Sequence, residues 1–264
     1  MDPHHVRLGV IGAGGWLGQA IVKSVMAAGV VPPDRLCLSS RTPREGLFPG
    51  ATWVRDNQDL VERSNIVLIS VRPADFPALN ISATGKLVIS VMSSIDIAQI
   101  DAALGTSRII RALPNAAAAV AGSYTPWTAA PSCRAEDRSA ARLIFAACGA
   151  EDELPDEAQI DYLAAVTGTG PAYPALLADA LRRHAIANGI APDIAQNAVN
   201  ALLIGTGRLI ESQQGSPADI VAEFLAYRGM TTAALESMAD AGFDRMIADG
   251  VEAALETSRK LSPH

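Results

Sequence analysis

Leu8-Gly-Val-Ile-Gly12-Ala-Gly14-Gly15-Trp16-Leu17-Gly18 is the stretch on which the fold turns. A short apolar run ends in a cluster of glycines and passes directly into helix-forming sequence from Gln19 to Ala28. Glycine permits the tight turn from strand to helix, and the missing side chains let backbone N–H groups at the helix start approach a pyrophosphate. Strand, turn and helix occur in the required order, so Gly12, Gly14, Gly15, Trp16 and Leu17 are expected to form a dinucleotide-binding loop. The spacing departs from strict G-x-G-x-x-G: Leu17 stands where the third glycine is expected and Gly18 follows one residue later, so a loop one residue longer is expected.

Outward from this loop, further β-branched runs recur with helical sequence between them. Arg35–Ser39, Ile66–Val71, Lys86–Val91 and Arg108–Arg111 read as strands. Parallel strands need a crossover, usually a helix, so this alternation predicts a Rossmann-like, doubly wound parallel sheet. From Asp156 the texture becomes alanine-rich with helical period, in segments at 156–165, 171–188, 192–211, 217–224, 232–241 and 245–261. Ser216-Pro217-Ala-Asp219 is a helix-start signal, since Pro loses no bond at the first helical position and the acid faces the positive helix end. The expected fold class is α/β, with a nucleotide-binding domain over 1–154 and an all-helical domain over 155–264. The helices of the second half are apolar enough, as at 195–210, that a homodimer or higher oligomer built through them is expected.

The 264 residues suffice for one large or two modest domains, and hydrophobic residues at 49% against 19% charged exclude a disordered chain. Net charge is −7, with 21 Lys+Arg scattered among 28 Asp+Glu, which argues against nucleic-acid binding through a basic face. Cys37, Cys133 and Cys148 lie far apart without a CxxC, so neither a metal site nor a disulfide framework is expected. Uncharged stretches at 112–133 and 162–178 are broken by Pro and Gly and read as buried or site-lining rather than membrane-spanning. The N-terminus lacks the order of a secretory signal, and a cytoplasmic location is expected.

In open α/β sheets, ligands bind beyond the C-terminal strand ends. An acid after the second strand would bind a ribose 2′-hydroxyl and repel a 2′-phosphate; here stand Ser39-Ser40-Arg41, with Arg44 beyond and no acid before Glu45. Ser40 and Arg41 suit a phosphate dianion, so NADPH is expected in preference to NADH, which stays possible. Val71, Arg72 and Pro73 after the third of these strands, and Ala112, Pro114 and Asn115 after the fifth, fall on the same edge, with Asn57 a further candidate for a ribose contact. Each has a plain alternative as a turn residue or solvated charge.

In order, the chain carries Ile11-Gly-Ala-Gly14, Val71-Arg-Pro73, Arg111-Ala-Leu-Pro-Asn115, Thr167-Gly-Thr-Gly-Pro-Ala-Tyr173 and Tyr227-Arg-Gly-Met-Thr-Thr232. It thereby resembles the pyrroline-5-carboxylate reductases, whose pattern runs Ile-Gly-x-Gly, Val-Lys-Pro, Arg-x-Met-Pro-Asn, Ser-Gly-Ser-Gly-Pro-Ala-Tyr and Ser-Pro-Gly-Gly-Thr-Thr. The resemblance implies a Rossmann domain, a helical dimerisation domain, and reduction of a cyclic imino acid by NAD(P)H, with 1-pyrroline-5-carboxylate giving L-proline. It places Thr231 and Thr232 at the reacting imine, and Thr169, Arg228, Gly229 and Met230 around the substrate. Departures are Ala116-Ala117 for Thr-Pro, Arg72 for Lys, and Tyr227-Arg228-Gly229-Met230 for Ser-Pro-Gly-Gly. The last adds bulk and a cation to the implied pocket, which keeps open a different cyclic imine, or a non-catalytic NADP(H)-binding regulatory module. A β-hydroxyacid dehydrogenase needs a lysine in its helical domain; the lysines here are Lys23, Lys86 and Lys260, none in the first helices of the second half, and His184 lies mid-helix. Imine reduction tolerates the absence of a base, because an iminium carbon is already electrophilic.

Overall fold

The structure is a computed structural model and describes residues 6–42, 46–213 and 215–261. Arg44, Glu45, His4, His5 and His264 lie outside the described residues. Contacts divide the chain into two compact units, one running to Thr169 and regaining the chain from Ala254, the other spanning Gly170–Ala253. The change of texture at 154/155 and this division at Thr169 mark different things. The first helix of alanine-rich sequence, α5 (Glu157–Leu163), packs on the sheet of the first unit.

The first unit is built on an eight-stranded sheet ordered β3-β2-β1-β4-β5-β6-β7-β8. Four strands, β1 (Leu8–Ile11), β2 (Leu36–Ser39), β4 (Ile66–Ile69) and β5 (Leu87–Ser90), are buried at every residue, which explains their unbroken apolar sequence: helices cover both faces. They pair in parallel, with Val10 opposite both Leu38 and Leu68, and β6 (Ile109–Ala112) continues the parallel run. Helices α1 (Trp16–Ala27), α2 (Asn57–Arg63) and α3 (Ile97–Leu104) belong to the crossovers. α3 is bounded by a reciprocal cap, Gln99 N–H to Asp96 Oδ1 and Asp96 N–H to Gln99 Oε1, and by left-handed Gly105.

Three strands were not anticipated. β3 (Thr52–Val54) has only three residues. β7 (Ser123–Ala129) contains Pro126 and runs antiparallel to β6, so no crossover helix announces it. β8 (Gly149–Glu153) reads Gly-Ala-Glu-Asp-Glu, an acidic edge strand returned parallel to β7 through α4 (Ala135–Ala146). Cys37, Cys133 and Cys148 are buried and free, and burial pushes the Cys148 thiol up to about 11.

The second unit holds α6 (Ala172–Ala187), α7 (Pro192–Ser212), α8 (Pro217–Ala226), α9 (Met230–Asp240) and most of α10 (Phe243–Leu261). α6 packs on α7, and α8 on α9. Among its described residues only Ala195 and Val199 are buried, whereas Leu176, Leu202, Ile204, Phe224 and Met246 are exposed. Isolated exposed leucines are ordinary, but helix faces this rich in them are what an interface leaves bare in a single chain. No helix among the described residues is long and apolar enough to cross a membrane.

Candidate active site

β1 is flanked by β2 on one side and β4 on the other, and the order of strands reverses there, so the loop after β1 sits at the topological switch point. Gly12 turns the chain with φ +88°, and a Cβ on it would lie 2.3 Å from the carbonyl oxygen of Ser70. Gly12 and Ala13 N–H both donate to Ser39 O, pinning the turn to the end of β2. The displaced third glycine is explained by contact: a Cβ on Gly18 would stand 2.5 Å from Gly12 O, so Gly18, not Leu17, brings the helix against the turn. α1 begins at Trp16, three residues before the expected Gln19, and takes Gly18 into its first turn.

No side chain caps α1, and its first turn contains no acid. Unclaimed N–H groups at a positive helix end suit an anion. A turn that excludes side chains and a helix start without a competing carboxylate therefore fit the pyrophosphate of a dinucleotide. Gly14 and Leu17 are half-buried, Gly15 is exposed, and Trp16 presents its indole 62% exposed beside them.

The other edge residues gather around this turn. Ser39 Oγ donates to Asn57 Oδ1 at 2.7 Å, fixing the Asn57 amide at the end of β2. Ser40 Oγ donates to Thr42 O. Arg41 and Arg72, from the loops after β2 and β4, both bind Asp75: Arg41 Nη1 to Oδ1 at 3.3 Å, Arg72 Nε to Oδ2 at 2.8 Å. The Arg72 guanidinium beside it holds the Asp75 carboxyl below its ordinary value, with burial opposing and Arg41 assisting. Val71 and Pro73 are half-buried, and Pro73 starts a short turn over Pro73–Ala78 that carries Asp75.

Ala112, which ends β6, and Pro114 beyond it are buried, and Asn115 does structural work with every polar group. Its N–H donates to Ser123 Oγ at 3.0 Å, Oδ1 accepts from Ala117 N–H at 2.9 Å, and Nδ2 donates to Thr167 O at 3.0 Å. The last bond ties the strand end to a π-helical turn over Ala164–Gly168, an irregularity frequent at functional sites. Thr169 follows it, its hydroxyl donating to Ala165 O.

The motif reading missed the role of Arg111. It lies on β6, 2% exposed, and reaches α5 through Nη1 to Glu157 Oε1 at 3.2 Å and Nη2 to Asp161 Oδ1 at 2.6 Å. Glu157 Oε1 also accepts from Ile97 N–H at 3.0 Å. Among the described residues Arg111 Nε has no partner. A lone Arg within a strand of Ile-Ile-Arg-Ala was the available signal, since a charge inside such a strand is buried only when paired.

In the helical unit, Thr231 and Thr232 fall in the first turn of α9, which starts at Met230 rather than Thr232. Thr232 Oγ1 accepts from Gly229 N–H at 3.3 Å and donates to Phe224 O at 3.2 Å. The hydroxyl proton is thereby directed at the end of α8, leaving the oxygen capacity for one further acceptor bond. Arg228 has φ +50°, and Tyr227 and Met230 are 87% and 90% exposed. A proline at 228, as in the Ser-Pro-Gly-Gly pattern, is locked near about −65° and could not take this turn. The loop therefore runs differently here.

Sheet order, glycine turn and edge residues define the class as a dinucleotide-dependent oxidoreductase with a separate helical unit. Residues 7–94 match the family model described as NADP oxidoreductase, coenzyme F420-dependent, and residues 157–261 match that for pyrroline-5-carboxylate reductase dimerisation. A pyrroline-5-carboxylate reductase of Thermus thermophilus is 30% identical, covering 97% of this chain and 98% of its own; one of Synechocystis sp. is 29% identical with the same coverage. The solved Coxiella burnetii pyrroline-5-carboxylate reductase superposes with TM-score 0.89 at 25% identity, over 98% of this chain and 99% of that one. The chain belongs to the pyrroline-5-carboxylate reductase family.

Proposed function

We propose that the protein reduces 1-pyrroline-5-carboxylate to L-proline with NADPH. The observation that carries this reading is kinship along the whole chain, 30% identity over 97% of it, to a reductase named for that substrate. The glycine turn, Asn57 and Arg41 supply, by type and position, what a phosphorylated dinucleotide needs. When bound, the reduced nicotinamide supplies a hydride.

The chain's own residues then have only to bind and orient. The start of α9 offers the backbone N–H groups of its first turn to the substrate carboxylate, and Arg228 adds a cation beside them. A protonated cyclic imine carries an N–H donor, and the remaining lone pair of Thr232 Oγ1 accepts from it. The proton stays on nitrogen as the ring carbon gains hydride, so product forms without a general base, consistent with a site that contains neither lysine nor histidine in these motifs. Exposed apolar helix faces in the second unit support a homodimer as the working form, and the three free cysteines suit a reducing compartment such as the cytoplasm.

A different cyclic imine is the second reading, favoured by the bulk of Tyr227 and Met230 where the family pattern has Ser and Gly. NADPH oxidation screened against pyrroline and piperideine carboxylates tests both. Fastest turnover of 1-pyrroline-5-carboxylate supports the first; preference for a piperideine supports the second; cofactor binding without any turnover returns the chain to a regulatory module.

A further inference from the structure

The sequence offers no acid at the end of β2, yet the fold brings one there. Asp75, from the turn after β4, is 27% exposed and accepts from two guanidiniums that are 76% and 72% exposed. Arg72 grips it with two nitrogens, Nε at 2.8 Å and Nη2 at 3.2 Å, and Arg41 reaches it from the loop after β2 at 3.3 Å. Those loops leave the strands on either side of β1, whose own loop is the glycine turn. Two positive charges converge on one negative charge, an arrangement that suits a phosphate dianion better than the carboxylate now held there.

We propose that Asp75 is a specificity-determining residue that competes with the ribose 2′-phosphate of the cofactor for Arg41 and Arg72. NADPH must displace the carboxylate or share its partners with a like charge. NADH meets no such conflict, and Asp75 offers its ribose 2′-hydroxyl an acceptor of the kind that an acid after the second strand supplies in NAD-binding folds. Asp75 therefore narrows the preference for the phosphorylated cofactor that Ser40 and Arg41 create. This inference rests on the dinucleotide reading of the glycine turn.

Calorimetric titration of the full-length protein with NADP⁺ and with NAD⁺ tests it without any turnover. Asp75→Asn keeps the shape and removes the charge. It should tighten NADP⁺ binding about twofold to fivefold, the scale of exposed ion pairs, while NAD⁺ binding stays level or weakens. In an Arg41→Ala/Arg72→Ala background the same substitution should change NADP⁺ binding by less than about twofold, because nothing is left to compete for. Unchanged or weaker NADP⁺ binding by Asp75→Asn overturns the proposal, as does an equal gain for both nucleotides. If the unaltered protein binds neither nucleotide, the dinucleotide reading itself fails and the proposal with it.

Discussion

Removing the buried member of the Arg111 ion-pair cluster should cost less than removing its more exposed partners. Arg111 is 2% exposed, whereas Glu157 and Asp161 are 31% and 50% exposed. Arg111→Met fills the space with an unbranched apolar chain and leaves two carboxylates that can turn to water, so the loss is that of two partly screened contacts, about 1–2 kcal/mol. Glu157→Gln/Asp161→Asn leaves a guanidinium stranded in the interior. Stranding a buried charge costs about 3–5 kcal/mol, and because the new amide oxygens still accept, the low end near 3 applies. Arg111 Nε already lacks a partner, which leaves little room for rearrangement. In thermal unfolding at one fixed protein concentration, the double variant should melt about 10 °C below the unaltered protein and Arg111→Met about 4 °C below. Equal losses, or a larger one for Arg111→Met, would refute the view that desolvated charge governs this cluster.

Thr232→Ala should lower turnover about tenfold to hundredfold with NADPH affinity nearly unchanged, measured by steady-state kinetics beside cofactor titration; a loss of thermal stability alone, about 1 kcal/mol, would reduce the hydroxyl to a cap between α8 and α9. Burial pushes the Asp137 carboxyl up, but Arg108 and the Arg134 N–H outweigh it and hold it below its ordinary range. Its stabilising effect is therefore full above the unfolded carboxylate value of about 3.9 and lost as pH falls through the folded value, so Asp137→Asn should lower the urea midpoint at neutral pH and flatten its decline in acid. Sedimentation across a dilution series should show activity only where the dimer persists, and a fully active monomer would contradict the role given to the helical unit.

What could be read from the chain was whatever depends on near neighbours. The apolar runs of β1, β4 and β5, the glycine turn and the six helical segments after 155 all declare themselves locally, and the six helices fall where their period places them. β7 did not, because Pro126 reads as a turn and its antiparallel partner requires no helix between them. β8 did not, because an acidic edge strand has no apolar alternation. Gly18 was visible as an irregular spacing, and only the approach of Gly12 O explains it. The partners of Arg111 lie 46 and 50 residues away, and Asp75 meets Arg41 across 34. Such pairs are set by topology, to which local sequence is blind.

The central claim is hydride transfer from NADPH to the imine carbon of 1-pyrroline-5-carboxylate, and isotope transfer tests it most directly. With NADPH deuterated at the transferable position of the nicotinamide ring, mass spectrometry should find proline carrying one deuterium on the ring carbon that was doubly bonded to nitrogen, in amount equal to the cofactor oxidised. Cofactor that stays reduced in the presence of this substrate, or proline formed without the label, would contradict the account.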